Sequence, residues 1–474
     1  RVITVNMYDN YYEPREIKVK KGETVKFLVK NLGELVHEYN IATKEMHFKH
    51  QPEMMIMAEN EILLVDKIDK KKMQEMSKKN PAMAHSHSNS VLLSPGESAE
   101  LKIRAAAQVE KLKMLEPVSE PSLLGSVPSI DQKKWWRAQI TLSWPLDNLG
   151  PSLPNLITTI AGNLFELQPL SGIRLIDLRL PSAFSTNYAG PKFGCEGTRK
   201  LMGIYERPLI GTIIKPSVGL SAKETGMLVS QLCAGGIDFI KDDELQANGL
   251  SCPFEDRVIE VMLAVNKAAD KMGHKVMVAF NLTGEIDEMR RRHDFVYKQG
   301  GTCVMVNLMA AGMAGMIALG QHTNLPIHAH RAGWGALTRE PLLGWSYPAW
   351  SKLWRLAGAD HMHVSGLNNK FTESNESVIE SARSLNNPLF SHAPMSALPV
   401  FSSGQTIRQA AATLDAVGSS DFLVAAGGGI AAHPSGVAAG VKAMRQAYDA
   451  AMQKVDIAEY AQEHPELAAA LAEF

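Results

Sequence analysis

Short apolar segments rich in β-branched residues alternate with helical patterns through the second half of the chain. The eight apolar segments span residues 208–216, 238–244, 276–283, 303–308, 326–332, 361–366, 399–405 and 421–429. Consecutive strand–helix units in this number are typical of a (β/α)8 barrel, the TIM barrel. The helical interpretation has local support, because Ser221 and Glu224 have the spacing of a capping box ahead of Met227, Leu228 and Leu232.

Polar and glycine residues lie at the end of each predicted strand. They are Lys215, Lys241 to Glu244, Asn281, Asn307, His328, His330, Arg331, His361, His363, Ser403, Gly404 and Gly427 to Gly429. The carboxyl ends of all eight strands of a TIM barrel meet at one face, which carries the active site in enzymes of this fold. The pattern therefore predicts a site at the barrel mouth, although any one of these histidines could instead be a buried structural residue.

Three of these groups indicate particular chemistry. The tetrad 241–244 (Lys-Asp-Asp-Glu) directly follows the apolar run 237–240, and carboxylate oxygens at a strand end are hard ligands that suit Mg2+. His328 and His330 are two residues apart, so they share a face of a strand. The triglycine 427–429 ends the last strand, where backbone N–H groups can approach a phosphate closely.

Residues 1–104 have a different, strand-rich pattern. Alternation predicts a strand over 1–9, two strands around a glycine turn over 16–31, a strand over 36–41 and a strand pair over 91–101.

The stretch 43–90 is rich in methionine and histidine. These residues are Met46, His47, His50, Met54, Met55, Met57, Met73, Met76, Met83, His85 and His87. Thioethers and imidazoles together suit Cu(I). The alternative is a helical insertion whose methionines pack on the strands while its many lysines face solvent.

Composition narrows the classes of function. The chain has 474 residues, a formal net charge of -1 and a sequence pI near 7.0. Neither sign of charge dominates, so we expect no nucleic-acid partner and no role at a membrane surface. Only four cysteines occur, with no CxxC pair, which favours a reducing, cytoplasmic location over a disulfide framework or a zinc site. No apolar run reaches the ~18 residues of a membrane-spanning helix.

Four motifs carry a resemblance to a known family. They are residues 211–221 (Gly-Thr-Ile-Ile-Lys-Pro-Ser-Val-Gly-Leu-Ser), 236–244 (Gly-Ile-Asp-Phe-Ile-Lys-Asp-Asp-Glu), 328–331 (His-Ala-His-Arg) and 427–434 (Gly-Gly-Gly-Ile-Ala-Ala-His-Pro). Over about residues 107–474 the chain resembles ribulose-bisphosphate carboxylase (RuBisCO) large chains. The carboxylases have a lysine in place of Ser217 and a histidine in place of Trp334, so the resemblance is to RuBisCO-like proteins rather than to CO2-fixing enzymes.

The resemblance implies a role for each matched residue. Lys241, carbamylated by CO2, would bind Mg2+ together with Asp243 and Glu244, and Lys215 would be the general acid/base. Asn163 would orient the enediolate, His330 would be a second acid/base, and Lys370 would close over the substrate on a mobile loop. The residues implied in phosphate binding are Arg331, His363, Ser403, Gly404, Gly427 and Gly428.

The segment 330–344 is similar to RuBisCO-like proteins that act as 3-oxo-isoapionate-4-phosphate decarboxylases or transcarboxylase/hydrolases. We therefore expect a Mg2+-dependent enzyme that stabilises the enolate of a phosphorylated sugar acid. One alternative is an enolase or isomerase that acts on a methylthio-sugar phosphate. Another is a catalytically dead fusion that serves as a copper-binding or scaffold protein.

The resemblances predict three domains. Residues 1–104 are similar to an incomplete cupredoxin, an all-β sandwich; residues 107–207 resemble the later part of the family's α+β N-terminal domain; and residues 208–474 form the barrel. His37 is a possible copper ligand, but a type 1 copper site also needs a cysteine, and none precedes Cys195. The opening strands of the family's N-terminal domain, which complete the partner subunit's active site, are missing from the pattern. We expect a homodimer.

Overall fold

A computed structural model describes residues 1–19, 23, 25–85, 87, 89–103, 107–120, 135–167 and 170–474. The chain divides into two units, one formed by residues 1–119 with 131–150 and the other by residues 120–130 with 151–474. Among the described residues, no helix has both the length and the apolar character needed to cross a membrane.

The N-terminal unit begins with two small sheets. Their strands are β1 (Val2–Tyr8), β2 (Tyr11–Glu13), β3 (Val25–Asn31), β4 (His37–Asn40), β5 (Ser90–Leu93) and β6 (Ser98–Ile103). One sheet has the order β2-β1-β3-β6, in which β1 and β3 are parallel, and the other is the antiparallel pair β4-β5. The two sheets share an apolar core of Val5, Met7, Val25, Phe27, Val29, Leu93 and Leu101.

The strand predictions for this unit are confirmed except at one point. The strands predicted over 1–9, 36–41 and 91–101 are present. Of the two strands predicted over 16–31, only the second forms; residues 16–19 are not in a strand, and residues 20–22 of the glycine turn lie outside the described residues. Strand β2 pairs with only Asn6 to Tyr8 of β1, and residues 16–19 add no further strand to this sheet, because alternation of polar and apolar residues does not by itself supply a pairing partner.

Two helices lie within the methionine-rich stretch, as the alternative interpretation predicted. They are α1 (Lys44–Glu59), capped by Thr43, and α2 (Lys70–Ser77), capped by Asp69. Buried Met57, Ile62 and Met83 form a second apolar cluster with Leu63, Met73, Met76 and Leu92 packed against it. Several thioethers of this stretch therefore serve packing.

A long hairpin and small helices connect these sheets to the barrel. They are β7 (Gln108–Val118), β8 (Trp135–Ser143), α3 (Leu146–Leu149), α4 (Leu153–Ala161), β9 (Arg174–Leu175), α5 (Ala183–Asn187) and α6 (Gly194–Met202). The hairpin β7-β8 is grouped with the N-terminal unit, whereas α4 to α6 belong to the unit that holds the barrel. The domain boundaries at 104–107 and 207–208 stay predictions.

Eight parallel strands close into a barrel, which confirms the predicted TIM barrel. Their bounds are β10 (Leu209–Ile213), β11 (Phe239–Lys241), β12 (Met277–Asn281), β13 (Cys303–Asn307), β14 (Ile327–His330), β16 (His361–Ser365), β17 (Leu398–Phe401) and β18 (Leu423–Ala425); β15 (Gly344–Trp345) pairs with β9 outside the barrel. The barrel strands are buried along nearly their whole length, as parallel strands covered on both faces require. Each is shorter than its predicted segment: Lys215, Arg331, Ser403 and Gly427 lie in the loops that follow their strands, whereas Asn281, Asn307, His330 and His363 lie within the strands.

Helices surround the barrel. They are α7 (Ala222–Ala234), α8 (Phe254–Met272), α9 (Ile286–Lys298), α10 (Leu308–His322), α11 (Trp334–Thr338), α12 (Tyr347–Leu356), α13 (Asn375–Asn386), α14 (Ala410–Val417), α15 (Gly428–Ala431), α16 (Val437–Gln453), α17 (Ile457–Tyr460) and α18 (Pro465–Glu473). The capping box predicted at Ser221 and Glu224 is present at the start of α7.

Buried Asp360 ties α6 to the barrel at the start of β16. Its carboxylate accepts hydrogen bonds from the backbone N–H groups of Phe193, Gly194 and Ile327 at 2.7 to 2.8 Å. Burial raises the pKa of Asp360 to about 6, although the three N–H donors oppose this rise.

Candidate active site

The predicted metal tetrad lies at the barrel mouth, but not all of it is in a strand. Strand β11 ends at Lys241, and residues 242–244 belong to the following loop. The sequence pattern predicted that Asp243 and Glu244 lie within the strand. Instead the strand ends before them, because the Asp242 side chain, in place of a backbone carbonyl, accepts the N–H of Asn281 at 2.9 Å.

Lys241 is buried and points among carboxylates. Its Nζ donates to the Asp242 carbonyl oxygen at 2.9 Å and to Glu244 Oε2 at 3.1 Å. Burial lowers the pKa of Lys241, while Glu244 and Asp243 oppose the shift. A lowered pKa favours the neutral amine, which is the nucleophilic form.

Asp243 and Glu244 are each paired with one lysine. Lys215 Nζ donates to Asp243 Oδ2 at 2.6 Å and to Ser217 Oγ at 2.8 Å. Burial alone would raise the pKa of Glu244, but Lys241 and His330 lower it to about 2, so this carboxylate is ionised at neutral pH.

Amide side chains fix the backbone beneath these carboxylates. Asn281 Nδ2 donates to the carbonyl oxygens of Asp243 and Glu244 at 3.3 and 3.2 Å, and Asn307 Nδ2 donates to the Glu244 carbonyl at 3.0 Å. The Asn307 Oδ1 atom is buried and has no hydrogen-bond partner among the described residues. This oxygen is therefore a further candidate metal ligand near Glu244, whose backbone carbonyl accepts from the same side chain.

A buried ion pair holds the loop from behind. Asp242 Oδ2 accepts from Arg257 Nε at 3.2 Å and from Nη2 at 3.1 Å, and the same guanidinium donates to the carbonyls of Gln246, Ala247 and Cys252. Both side chains are almost fully buried. This pair sets the course of the loop that carries Asp243 and Glu244.

The strand-end histidines pack edge-on against one another inside the mouth. His328 Nε2 lies 2.7 Å from His363 Nε2, and His363 Nδ1 lies 2.9 Å from Ser402 Oγ. Burial lowers the pKa of both histidines well below the usual range. Both ring nitrogens of His363 have partners within the protein, so its role in phosphate binding stays a prediction.

His330 is the histidine nearest the carboxylates. Its Nε2 lies 3.6 Å from Glu244 Oε2, and its ring stacks edge-on against His363. Burial and the nearby charge of Lys241 lower the pKa of His330 to about 3. By contrast, His361 bonds Thr198 Oγ1 at 2.8 Å, a contact that joins α6 to the barrel rather than to the site.

Arg331 is largely buried at the rim of the barrel, and only some of its guanidinium nitrogens have hydrogen-bond partners among the described residues. Its Nη2 donates to Glu373 Oε2 at 2.6 Å, and its guanidinium lies 5.7 Å from the centre of the Tyr347 ring. Its Nη1 atom is buried and has no hydrogen-bond partner in the described part of the chain. Such a nitrogen is ready to donate to an anion.

Three further predicted residues, Lys370, Ser403 and Gly404, lie close together on the loops that follow β16 and β17. The Lys370 backbone N–H donates to the Ser403 carbonyl at 3.3 Å, which places the loop after β16 against the end of β17. Ser403 and Gly404 both have left-handed backbone conformations, with φ of 69° and 87°. A Cβ added to Gly404 would lie 3.8 Å from Lys370, an ordinary van der Waals contact, so it is the left-handed backbone rather than lack of space that favours glycine there.

The three glycines 427–429 differ in the space around them: Gly429 is closely packed, whereas Gly427 and Gly428 are not. A Cβ on Gly429 would lie 2.3 Å from the Gln405 carbonyl oxygen, whereas one on Gly428 would meet nothing within 4 Å. A Cβ on Gly427 would lie 3.7 Å from Lys215 Cε. Gly427 and Gly428 thus leave room beside Lys215, as a phosphate cradle requires, and that role stays a prediction.

Two predicted residues remain, Asn163 and His37. Asn163 is exposed in a short 3-10 helix, Asn163–Glu166, and has no hydrogen-bond partner among the described residues. His37 lies in the N-terminal unit, where its Nε2 bonds Asp9 Oδ1 at 2.9 Å. The roles predicted for these two residues stay predictions.

Family models match most of the barrel unit. The catalytic domain of the ribulose bisphosphate carboxylase large chain matches residues 194–474, and its N-terminal domain matches residues 112–184. The chain belongs to the RuBisCO large-chain family. This confirms the family resemblance, while the likeness of residues 1–104 to a cupredoxin stays a prediction.

Related proteins cover the same region. The chain is 58% identical over 375 residues to a 3-oxo-isoapionate-4-phosphate transcarboxylase/hydrolase from Xanthobacter autotrophicus, covering 79% of this chain and 90% of the relative. It is 41% identical over 382 residues to a 3-oxo-isoapionate-4-phosphate decarboxylase from Rhizobium rhizogenes, covering 80% and 90%.

Solved structures show the same fold. A RuBisCO-like protein from Burkholderia fungorum has a TM-score of 0.74 at 46% identity, covering 78% of this chain and 92% of that one. The octameric RuBisCO from Pyrococcus horikoshii has a TM-score of 0.70 at 31% identity, covering 77% and 84%.

The two departures from the carboxylases have visible consequences. Ser217, which replaces a lysine, accepts a hydrogen bond from Lys215. Trp334, which replaces a histidine, is buried against Tyr347 and Trp350 with ring centres 5.6 and 4.8 Å away. Tyr347 in turn donates to the His363 carbonyl at 2.7 Å. The aromatic cluster thus supports the mouth where the carboxylases have an ionisable side chain.

Sequence reasoning missed the partners that orient the site. Arg257, Glu373, Tyr347 and Ser402 are separated in sequence from the residues they contact. Arg257 falls on a helix whose pattern is ordinary, and Glu373 stands among polar loop residues. Of the four, only Ser402, adjacent to Ser403, had a signal in the sequence.

We expect Arg257→Met to lower the free energy of unfolding of the barrel unit by about 3–5 kcal/mol, because it leaves the Asp242 carboxylate buried without its cation. The matched control is Arg290→Met, since Arg290 pairs with Asp287 at the surface, where such pairs contribute about 0–1 kcal/mol. Urea unfolding followed by circular dichroism measures both. Equal stabilities for the two variants would contradict the role given to the buried pair.

Proposed function

We propose that the protein is a Mg2+-dependent RuBisCO-like enzyme acting on 3-oxo-isoapionate 4-phosphate or a closely similar phosphorylated 3-oxo acid. Relatives at 41–58% identity are named as decarboxylase or transcarboxylase, and the chain is an enzyme of that type. The observation that carries the proposal is the cluster of Lys215, Lys241, Asp243 and Glu244 at the barrel mouth. The higher identity to the transcarboxylase/hydrolase favours that reaction over simple decarboxylation.

The residues present fit a divalent cation. Asp243 and Glu244 supply two carboxylates, each now paired with an ammonium group, and Asn307 Oδ1 is a buried oxygen without a partner in the described chain. An all-oxygen donor set is the one that Mg2+ prefers. Carbamylation of Lys241 would replace its positive charge with a third anionic ligand. Mg2+ held there supplies a Lewis acid that stabilises an enolate oxyanion.

The protein's own groups handle protons and exclude water. Lys215 is the amine best placed to move a proton at the substrate carbon, because its side chain is partly exposed while its Nζ contacts Asp243. His330 lies beside Glu244 and is neutral at physiological pH, because its pKa is lowered to about 3. It can therefore donate or accept a hydrogen bond at the substrate, while it holds an extra proton only weakly. Lys370 lies on the loop that contacts Ser403 and would close over bound substrate.

Arg331 is the best-placed anchor for the substrate phosphate. One of its nitrogens has no partner and the other is paired with Glu373, so a phosphate can bind with little rearrangement. Ser403, Gly404, His363 and the Gly427–Gly428 backbone complete the proposed phosphate contacts. The resemblance implies two phosphate positions, one at Arg331, His363 and Ser403 and the other at the Gly427–Gly428 backbone. A substrate with a single phosphate needs only one of them.

The active enzyme is proposed to be a homodimer. Asn163 is exposed in the described chain and has no hydrogen-bond partner there. In this family, active sites form between subunits, and an exposed residue of the N-terminal region is free to reach the mouth of a partner barrel.

Substrate labelled with 13C in its carboxyl group tests the reaction. We expect the label to remain in a carboxylate product, because the proposed reaction transfers the carboxyl group before hydrolysis, and 13C NMR would follow it. Release of the label as CO2 would assign decarboxylation instead. Unchanged substrate in the presence of Mg2+ and bicarbonate would refute the proposed function.

We expect Asp243→Ala, Glu244→Ala and Lys241→Ala each to abolish turnover while the barrel remains folded, because each removes a proposed ligand of one ion. Lys241→Arg is the sharper variant, since it keeps the positive charge but cannot form the carbamate. Asp287→Ala, at a carboxylate on the surface of α9, is the control and should keep full activity. Steady-state kinetics and circular dichroism measure the two properties, and wild-type rates in any ligand variant would disprove the metal assignment.

We expect Arg331→Ala or Ser403→Ala chiefly to raise KM. Loss of a hydrogen bond to a charged group costs about 1.5–3 kcal/mol, which corresponds to a rise of about 10–100-fold for Arg331→Ala. These contacts are made equally in the ground and transition states, so kcat should change little. Arg339→Ala, at an exposed arginine just after α11, is the control. A fall in kcat at constant KM would mean that these residues act in the chemical step.

A further inference from the structure

A cluster of histidines lies in the N-terminal unit and includes none of the proposed catalytic residues. His50 is on α1, and His85 and His87 lie in the segment that leads into β5. One ring nitrogen from each of the three lies within 4.8 Å of the others. In the sequence these histidines were candidates only as members of a long methionine-rich stretch. In the fold their side chains lie close together.

Two glutamates complete the cluster. Glu38, on β4, places Oε1 at 3.1 Å from His50 Nε2 and at 3.3 Å from His85 Nε2. Glu53, one turn after His50 on α1, places its oxygens at 3.3 Å from His50 Nδ1 and at 3.0 Å from His87 Nε2. Four of these side chains are at least four-fifths buried, and only His87 is more exposed.

The distances match those between ligands of a small cation. His50 Nε2 and His85 Nε2 are 3.3 Å apart, so with Glu38 Oε1 they form a triangle with edges of 3.1 to 3.3 Å. Ligand atoms about 2.0–2.1 Å from a tetrahedral ion lie about 3.3 Å from one another. The triangle therefore has the dimensions of one face of a tetrahedron, and His87, with a ring nitrogen within 4.8 Å of those of His50 and His85, is available for the fourth position.

The contact of His50 with Glu53 follows a common pattern in metal sites. A histidine that binds a metal through one ring nitrogen usually donates from the other to a carboxylate, which fixes its ring and tautomer. His50 presents Nε2 to the triangle and Nδ1 to Glu53. A simple hydrogen-bonded network would not require two imidazole Nε2 atoms to meet at one carboxylate oxygen.

We propose that Glu38, His50, His85 and His87 bind one divalent transition-metal ion, Zn2+ or Cu2+. Imidazole nitrogen and carboxylate oxygen favour these ions, whereas Cu(I) prefers thioethers. The thioethers of Met57, Met73, Met76 and Met83 pack in the apolar cluster beneath Leu92. The site also differs from a type 1 copper site, because it has no cysteine and does not include His37.

A second histidine cluster is a weaker candidate. His293, Asp294 and His322 also lie close together, at the surface of the barrel unit. There, however, His293 Nδ1 already contacts Asp294 Oδ1 at 2.9 Å, and His293 Nε2 accepts the N–H of Asn324 at 3.2 Å. His293 has no ring nitrogen left for an ion.

Titration of the untagged full chain with Zn2+, and with Co2+ as a spectroscopic substitute, tests the site. We expect one tight equivalent of Zn2+ by calorimetry, and the intense visible bands of four-coordinate Co2+. Bound metal should also raise the unfolding temperature of the N-terminal unit, because it binds only the folded form. His50→Ala and His85→Ala should remove all three signals, and Glu53→Gln should weaken binding by about 10–100-fold.

His47→Ala is the matched control, because His47 is exposed on α1 one turn before His50. It should bind like the wild type, and so should His322→Ala in the second cluster. Circular dichroism of each metal-free variant checks that it folds. If His50→Ala does not fold, the weaker binding expected of Glu53→Gln provides the test. The proposal is wrong if the wild type binds no ion, if His322→Ala removes the binding, or if His47→Ala weakens it as much as His50→Ala.

Discussion

The buried ion pair between Asp242 and Arg257 is the interaction on which the barrel mouth depends. Strand β11 ends just before Asp242, and the next two residues carry the carboxylates of the proposed metal site. With Asp242 turned inward to Arg257, Asp243 and Glu244 are held at the mouth rather than left free in a loop. One carboxylate of the tetrad is therefore structural, and the other two are left for chemistry.

Charge balance is the second constraint on the mouth. Two ammonium groups and two carboxylates are paired one to one, Lys215 with Asp243 and Lys241 with Glu244. A divalent cation adds two positive charges to this balanced set, and conversion of one ammonium group to an anionic carbamate removes the same number. Burial already lowers the pKa of Lys241, so this lysine is the one from which a charge is removed at least cost.

The barrel could be predicted from sequence because its signal repeats eight times and each repeat is local. The same reasoning located most candidate residues, since strand ends in a parallel barrel share one face. It could not supply contacts that depend on the folded chain, such as Glu373 with Arg331, 42 residues apart, or His361 with Thr198, 163 residues apart. In the N-terminal unit, alternation alone predicted a strand at 16–19, but alternation does not specify a pairing partner, and these residues pair with no described strand.

The cysteines of the barrel unit and the buried methionines of the N-terminal unit differ in what oxidation would do to them. The barrel unit holds all four cysteines, and burial raises the pKa of Cys195 and Cys233 to about 11, so few thiolates are available to react. The N-terminal unit has no cysteine but packs its second apolar cluster with thioethers. A sulfoxide there would place a polar group among Ile62 and Leu92. Oxidation of these thioethers would therefore loosen the packing of helix α1, which carries both His50 and Glu53.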